Sequence, residues 1–274
     1  MTAKASRFIK YPLYHSPLSP LEKLMLRVGR GAIAQCCVCG SAGSTAVQGD
    51  NLRETCVCAK CGSTNRQRQI AYVSCHAVSC DRSKPISSFK DLSKLDDFAI
   101  YNTEASGAIH DQLSKMKDYV CSEYFGSSYK SGDLVGGAMH QDLMDLSLGE
   151  ESIDLVLSSD VFEHIPEPYK AHGEVYRVLR RGGRHVFTVP FYQTEYLDET
   201  RAVIDAGGNT VLLKEPIYHL DPIRPEGALV YKTFALEMLV RLREIGFRTN
   251  LYHLHSLYHG ILGPNAVVFE AVKD

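Results

Sequence analysis

Six of the nine cysteines lie within residues 36–61, and four of them form two Cys-x2-Cys pairs: Cys36 with Cys39 and, after eighteen residues, Cys58 with Cys61. Two residues between cysteines let both sulfurs of one turn reach a single ion, and zinc takes four such thiolates in a tetrahedron. The spacing is that of a zinc ribbon. Cys37 and Cys56 fall one and two residues out of register and make poorer ligands. Four thiolates leave no open position for water, so the expected work of the site is folding rather than catalysis.

A second set of chemical groups stands at the ends of apolar runs. Ile153–Leu157 is followed by Ser158-Ser159-Asp160-Val161-Phe162-Glu163-His164-Ile165-Pro166. His164 lies where a general base could stand, although a cofactor-side role suits it better. His219 is followed by Asp221, which could orient it as a base, and it is the preferred candidate. Glu123 ends the run Tyr119–Glu123, about 20 residues after a small-residue turn, where a carboxylate can accept both hydroxyls of a ribose. That turn, Thr103-Glu104-Ala105-Ser106-Gly107, has no GxGxxG to cradle a pyrophosphate, which argues against a dinucleotide. No Ser-His-Asp order or nucleophilic cysteine context points to a hydrolase.

The elements that must position these groups read as α/β. Asp154–Leu157 suits a strand buried on both faces. Pro168 can open a helix whose apolar stripe is Ala171, Val175, Val178 and Leu179. Arg177, Arg180 and Arg181 are expected in its last turn, Gly182 at its C-terminal cap, and His185–Val189 in the next parallel strand. Upstream strands are expected at 98–102, 119–123 and 139–143, and antiparallel closing strands at 251–257 and 266–272. Ser19-Pro20-Leu21-Glu22 starts a short packing helix after an N-terminal arm of residues 1–18. Thr64 and Gln67 make a capping box for a helix to about residue 78, with Arg66 and Arg68 projecting from its first turn. Two cations there oppose the macrodipole and ask for an acidic partner or an anionic ligand. The polar stretch 81–97 reads as a linker, dividing a module of residues 1–80 from a domain of residues 81–274. Residues 191–228, rich in aromatics and acids, form an insertion long enough to be functional.

The run Ser152-Ile153-Asp154-Leu155 through Val189-Pro190, with its Glu-His-Ile-Pro loop and Gly182-Gly183 turn, resembles the central segment of class I S-adenosylmethionine (SAM) dependent methyltransferases. The resemblance implies a Rossmann-like, seven-stranded, mostly parallel sheet with an antiparallel last strand, carrying a small N-terminal zinc ribbon. It implies SAM as cofactor, met by Glu104, Ser106, Gly107, Glu123, Ser159 and Asp160. Asp142 resembles the acceptor of the adenine amine, with Leu143 against the adenine face. The turn departs from the family's acid-x-Gly-x-Gly pattern by keeping one glycine, Gly107. Cys36, Cys39, Cys58, Cys61, Ser63, Arg66 and Arg68, with Tyr218–Pro222, also resemble a zinc-knuckle group of bacterial methyltransferases associated with polysaccharide or secondary-metabolite pathways.

The 274 residues carry a formal net charge of -2, which gives no general attraction to nucleic acid or anionic membrane. No apolar run nears the roughly 18 residues of a membrane span, and charges interrupt any N-terminal signal core. Clustered cysteines then suit a reducing cytoplasm. The expected activity is O-methylation of a small polar acceptor such as a sugar or glycan precursor, with His219 or His164 as catalytic residue. An RNA methyltransferase using the zinc module as reader is the alternative, and a non-catalytic zinc scaffold is a third reading. Acceptor, pathway and oligomeric state are left open.

Overall fold

The computed structural model describes residues 19–47, 49, 51–221, 224–263 and 266–274; the expected arm of residues 1–18 and Pro222 lie outside them. Helix α1 (Pro20–Val28) leads into a three-stranded sheet of β1 (Arg30–Ile33), β2 (Gly43–Val47) and β3 (Cys56–Cys58), with a single turn, α2 (Leu52–Thr55), before β3. In α1 Met25 is buried, whereas Leu21, Leu24 and Val28 are exposed. The Thr64–Gln67 capping box forms as the sequence implies and opens α3 (Asn65–Arg82).

The stretch expected to be a polar linker contains α4 (Phe89–Leu92), whose Phe89 and Leu92 are fully buried. The main sheet follows: β4 (Ile100–Asn102), α5 (Gly107–Leu113), β5 (Tyr119–Glu123), β6 (Leu134–Val135), β7 (Ala138–His140), β8 (Ile153–Ser159), a 3-10 turn (Phe162–His164), α6 (Pro168–Val178) and β9 (Leu179–Thr188). The insertion adds short ribbons, β10 (Glu199–Thr200) with β15 (Lys232–Thr233), β11 (Ala202–Ile204) with β12 (Thr210–Leu212), and β13 (Tyr218–His219) with β14 (Ala228–Leu229). Helix α7 (Glu237–Ile245), β16 (Phe247–His253) and β17 (Val267–Lys273) close the chain.

The large sheet has eight strands in the order β16-β17-β9-β8-β4-β5-β7-β6. Strands β9, β8, β4, β5 and β7 are parallel, while β17 and the edge strand β6 are antiparallel to their neighbours. The eighth strand, beyond the seven expected, is the two-residue β6. A two-residue strand carries too little alternation to register.

Strand β8 shows why both faces must be covered. Leu155 and Leu157 join one apolar cluster with Cys36, Val38, Ile70, Val73 and Phe89. Val156, between them, belongs to the opposite cluster with Tyr101, Phe162, Val175, Phe187 and Phe269. The cysteine-rich module therefore shares its core with the sheet.

One local reading is corrected, at the end of α6. Helix α6 stops at Val178, so Arg180, Arg181 and Gly182 lie in β9. The register shift between β8 and β9 falls there, and Arg180 pairs with Asp154 at 2.5 Å. A Cβ on Gly183 would lie 2.8 Å from the Arg180 carbonyl oxygen, so the close strand approach needs glycine. Thr233 sits in β15, and α7 begins four residues after it.

Candidate active site

The two cysteine pairs converge because each sits in a tight turn. Gly40 N–H donates to the Cys36 carbonyl at 2.8 Å and Gly62 N–H to the Cys58 carbonyl at 2.9 Å. The Sγ atoms of Cys36, Cys39, Cys58 and Cys61 all lie within 4.8 Å of one another, with Cys36 and Cys61 3.9 Å apart. Bonds of about 2.3 Å to one tetrahedral ion place sulfurs at about this separation. Ser63 Oγ stands 3.5 Å from Cys36 Sγ and 3.2 Å from Cys61 Sγ. The Cys61 contact lowers the Cys36 thiol, whereas burial pushes Cys37 up to about 12. Cys37 and Cys56 stay outside the cluster.

Arg68 does not project as the sequence implied. It is fully buried and donates to the carbonyls of Ser63 (2.7 Å), Cys56 (3.0 Å) and Gly260 (2.8 Å). Asn65 holds the same corner through Leu52 O and Leu262 O. Helix α3 is thus tied by polar groups to both the module and the C-terminal loop.

At the carboxyl end of the sheet, Ala105 N–H donates to Glu123 Oε1 at 2.9 Å, joining the turn after β4 to the tip of β5. Burial raises the Glu123 carboxyl, and the nearby Asp221 adds to it. In the turn, burial lifts Glu104 to about 7 despite the pull of Arg66. Gly107 opens α5, with Ser106 before it. The hydroxyl of Thr103, at the start of this turn, is buried with no hydrogen-bond partner among the described residues. After β7, Asp142 Oδ1 accepts from Met144 N–H at 2.8 Å and Leu143 is buried. The insertion reaches this edge, where Arg224 donates to Tyr124 O at 3.0 Å.

Ser159 and Asp160, at the tip of β8, meet the module's arginines. Arg53 of α2 makes two contacts of 2.7 Å with the Asp160 carboxylate, and Thr188 donates to Asp160 Oδ1 at 2.7 Å. Arg66 donates to Ser159 Oγ, pairs with Glu54 at 2.8 Å and stands 3.7 Å from Asp160. Burial opposes the Asp160 charge, but the two guanidiniums prevail and hold its carboxyl well below the ordinary range. The acidic partner that Arg66 required is therefore internal. Arg53 carries no sequence signal of its own; Arg66, opposing its helix dipole, was the only hint.

His164 and His219, 55 residues apart, come together. His164 Nε2 lies 3.2 Å from His219 Nδ1, while its Nδ1 donates to Leu229 O at 2.8 Å. Pairing of His219 with Ala228 across β13 and β14 brings about this meeting. The neighbour of His219 is Glu163, at 3.4 Å, whereas Asp221, the expected orienting group, pairs with Arg224 at 3.3 Å. Burial opposes charge on His219, but the Glu163 carboxylate outweighs it and raises the imidazole's pKa. Glu163 is itself fully buried. Its place beside His164 in the Glu-His-Ile loop was visible; its company with His219 was not.

Residues 111–187 match a family model described as "Methyltransferase domain". A protein of Mycobacterium ulcerans called an uncharacterized methyltransferase is 44% identical over 45 residues, covering 16% of this chain and 18% of its own length. The chain thus matches under a fifth of that curated relative. A SAM-dependent methyltransferase structure from Mesorhizobium loti is similar at 15% identity and a TM-score of 0.41, covering 66% of this chain and 94% of the other. One from Methanosarcina mazei is similar at 15% identity and 0.36, covering 66% and 93%. Residues 111–187, which carry the match to a methyltransferase domain, run from within α5 to β9 of the eight-stranded sheet.

Proposed function

We propose that the protein transfers a methyl group from SAM to a hydroxyl of a small polar acceptor, such as a sugar or glycan precursor. The observation that carries this reading is Glu123, whose Oε1 takes the Ala105 amide in the turn after β4. Its second oxygen can accept from a ribose at the place where open α/β sheets hold nucleosides. The unpartnered Thr103 hydroxyl in the same turn is a further polar group suited to a ligand. SAM, when bound, supplies an electrophilic methyl group on a sulfonium. Glu123 would hold the ribose hydroxyls, Asp142 would accept from the adenine amine and Leu143 would lie against the ring. Glu104, Ser106, Gly107, Ser159 and Asp160 border the methionine end, where Asp160 works as a pinned counter-charge to Arg53 and Arg66.

The acceptor side is given to His164 and His219, which activate the hydroxyl with Glu163 behind them. Much of the rate of an in-line displacement comes from alignment, which β13 and β14 provide by fixing the imidazoles. The acceptor class is inferred from the insertion, whose Tyr196 and Tyr218 are exposed. Against an RNA acceptor stand the net charge of -2 and the engagement of Arg53 and Arg66 with acids. Cys36, Cys39, Cys58 and Cys61 are proposed to bind a structural zinc ion.

Calorimetry with SAM and S-adenosylhomocysteine, then transfer of radiolabelled methyl across nucleotide-sugars, free glycans and RNA, tests the reading. Cofactor binding with label in a saccharide is expected. Absence of cofactor binding would leave a scaffold, and label in RNA alone would defeat the saccharide reading.

A further inference from the structure

We infer that Glu163, His164 and His219 form a binding site for a divalent transition-metal cation, separate from the cysteine site. Three observations point there. The candidate donor atoms form a near-regular triangle: His164 Nε2 to His219 Nδ1 is 3.2 Å, His219 Nδ1 to Glu163 Oε1 is 3.4 Å and His164 Nε2 to Glu163 Oε1 is 3.7 Å. Donors about 2.1 Å from one tetrahedral centre stand about 3.4 Å apart, so one ion could touch all three with little movement.

Second, both carboxylate oxygens of Glu163 are buried with no hydrogen-bond partner among the described residues, and the side chain has no exposed surface. A buried anion whose nearest donors are the His219 and His164 ring nitrogens at 3.4 and 3.7 Å is costly unless a closer cation meets it. Third, the His164 tautomer is fixed from behind. Leu229 O can only accept, so Nδ1 carries the proton and the Nε2 lone pair faces the triangle. A backbone carbonyl on the far nitrogen is the usual outer support of a metal-bound histidine.

Two imidazoles and one carboxylate on one face form the donor set of open divalent sites for iron(II), zinc or manganese(II). His164 and His219 keep 16% and 25% of their side chains accessible, so the open side faces outward. The inference deepens the proposed reaction and rests on it for its purpose: His164 and His219 would activate the acceptor through the cation they hold. The acceptor O–H bond breaks with its proton passing to water, the new O–C bond forms, and the electron pair of the breaking C–S bond stays on sulfur. The positive charge of the sulfonium and the negative charge on oxygen cancel.

Cobalt(II) is the probe. Full-length protein with its cysteine site filled by zinc should take up one further equivalent, with weak visible bands and no sulfur-to-metal charge transfer. His219→Ala, in a partly exposed loop, should weaken that uptake at least 100-fold while circular dichroism and zinc content stay unchanged; Glu163→Gln should do likewise if it folds. Absence of a second equivalent, or equal uptake by wild type and His219→Ala, would overturn the site. Methyl transfer persisting in protein shown to lack the second metal would overturn the cation's role and leave the methyltransferase reading standing. Failure to bind SAM would remove that reading without touching the cobalt result.

Discussion

Arg53 of the cysteine-rich module grips Asp160 at the tip of β8 through two contacts of 2.7 Å, across 107 residues of sequence. Asp160 holds a left-handed φ of 54°, and Thr188 of the adjacent strand donates to the same carboxylate. A bidentate pair fixes orientation as well as distance. The module is therefore oriented by the strand end that borders the proposed methionine pocket.

Asp160→Asn should destabilise the protein by about 1–3 kcal/mol, because Arg53 and Arg66 would keep partly buried charges with only Glu54 to answer them. The carboxyl pKa is lowered in the folded state, so its contribution is present above the unfolded value near 4 and fades as pH falls through the folded one. Urea unfolding at pH 7 and at pH 3, below the unfolded value, checks this. The gap between wild type and variant should narrow at the lower pH.

Removing metal from the cysteine site should unfold more than the ribbon. Cys36, Val38 and Cys58 share one apolar cluster with Phe89, Ile70 and Leu155 of the sheet. Chelator treatment is expected to lower the melting temperature sharply and to abolish SAM binding with it. Cys58→Ser should lose the zinc, while Cys37→Ser, outside the ligand group, should keep a full equivalent. Metal analysis beside differential scanning calorimetry reads both.

Glu123→Ala should weaken SAM by roughly 10- to 100-fold, the worth of losing charge-assisted bonds to two hydroxyls. Zinc content and melting temperature should hardly move, since the carboxylate's only hydrogen bond among the described residues is to Ala105 N–H. Titration calorimetry decides it, and unaltered affinity would refute the ribose assignment.

The buried histidines set an acid limit. Among the described residues His172 has no hydrogen-bond partner for either ring nitrogen, and it stacks on Phe162 at 4.1 Å; burial lowers its pKa from 6.5 to about 3. The unfolded chain binds a proton below pH 6.5 that the folded chain refuses. Stability is therefore retained above 6.5 and lost as pH falls toward 3, by about 1.4 kcal/mol per pH unit from this group alone. His185, also lowered by burial, adds to the slope. His172→Phe should flatten the acid side of the melting-temperature profile.

What the sequence could show depended on distance along the chain. Cys-x2-Cys spacing, the Thr64–Gln67 box and the place of Glu123 after its turn are local, and the structure has the sulfurs, the cap and the strand end where spacing implies them. Whether Glu123 binds a ribose is a separate matter, left to the titration above. The Arg53–Asp160 pair and the His164–His219 contact depend on how strands stack, and periodicity carries no such information. Arg68 was misread because a charged side chain at a helix start looks solvated. Only the fold reveals that three carbonyls surround it.

Gly227 offers the sharpest test of the insertion's role. It holds a φ of 88°, and a Cβ there would lie 2.5 Å from the backbone oxygen of His219, closer than real Cβ atoms come. Neither atom belongs to a flexible tip, so Gly227→Ala must push β13 away from β14 and carry the His219 ring off His164. Misplacement on the order of 1 Å can cost about 100-fold in rate when alignment supplies the catalysis. Gly208→Ala is the control: its φ is 81°, with nothing within 4 Å of the added atom. Both variants carry the strain of a positive φ, about 1 kcal/mol. Gly227→Ala should lose methyl transfer while binding SAM normally, and Gly208→Ala should lose neither. Equal activity in the two variants would show that His219 need not be held where β14 holds it.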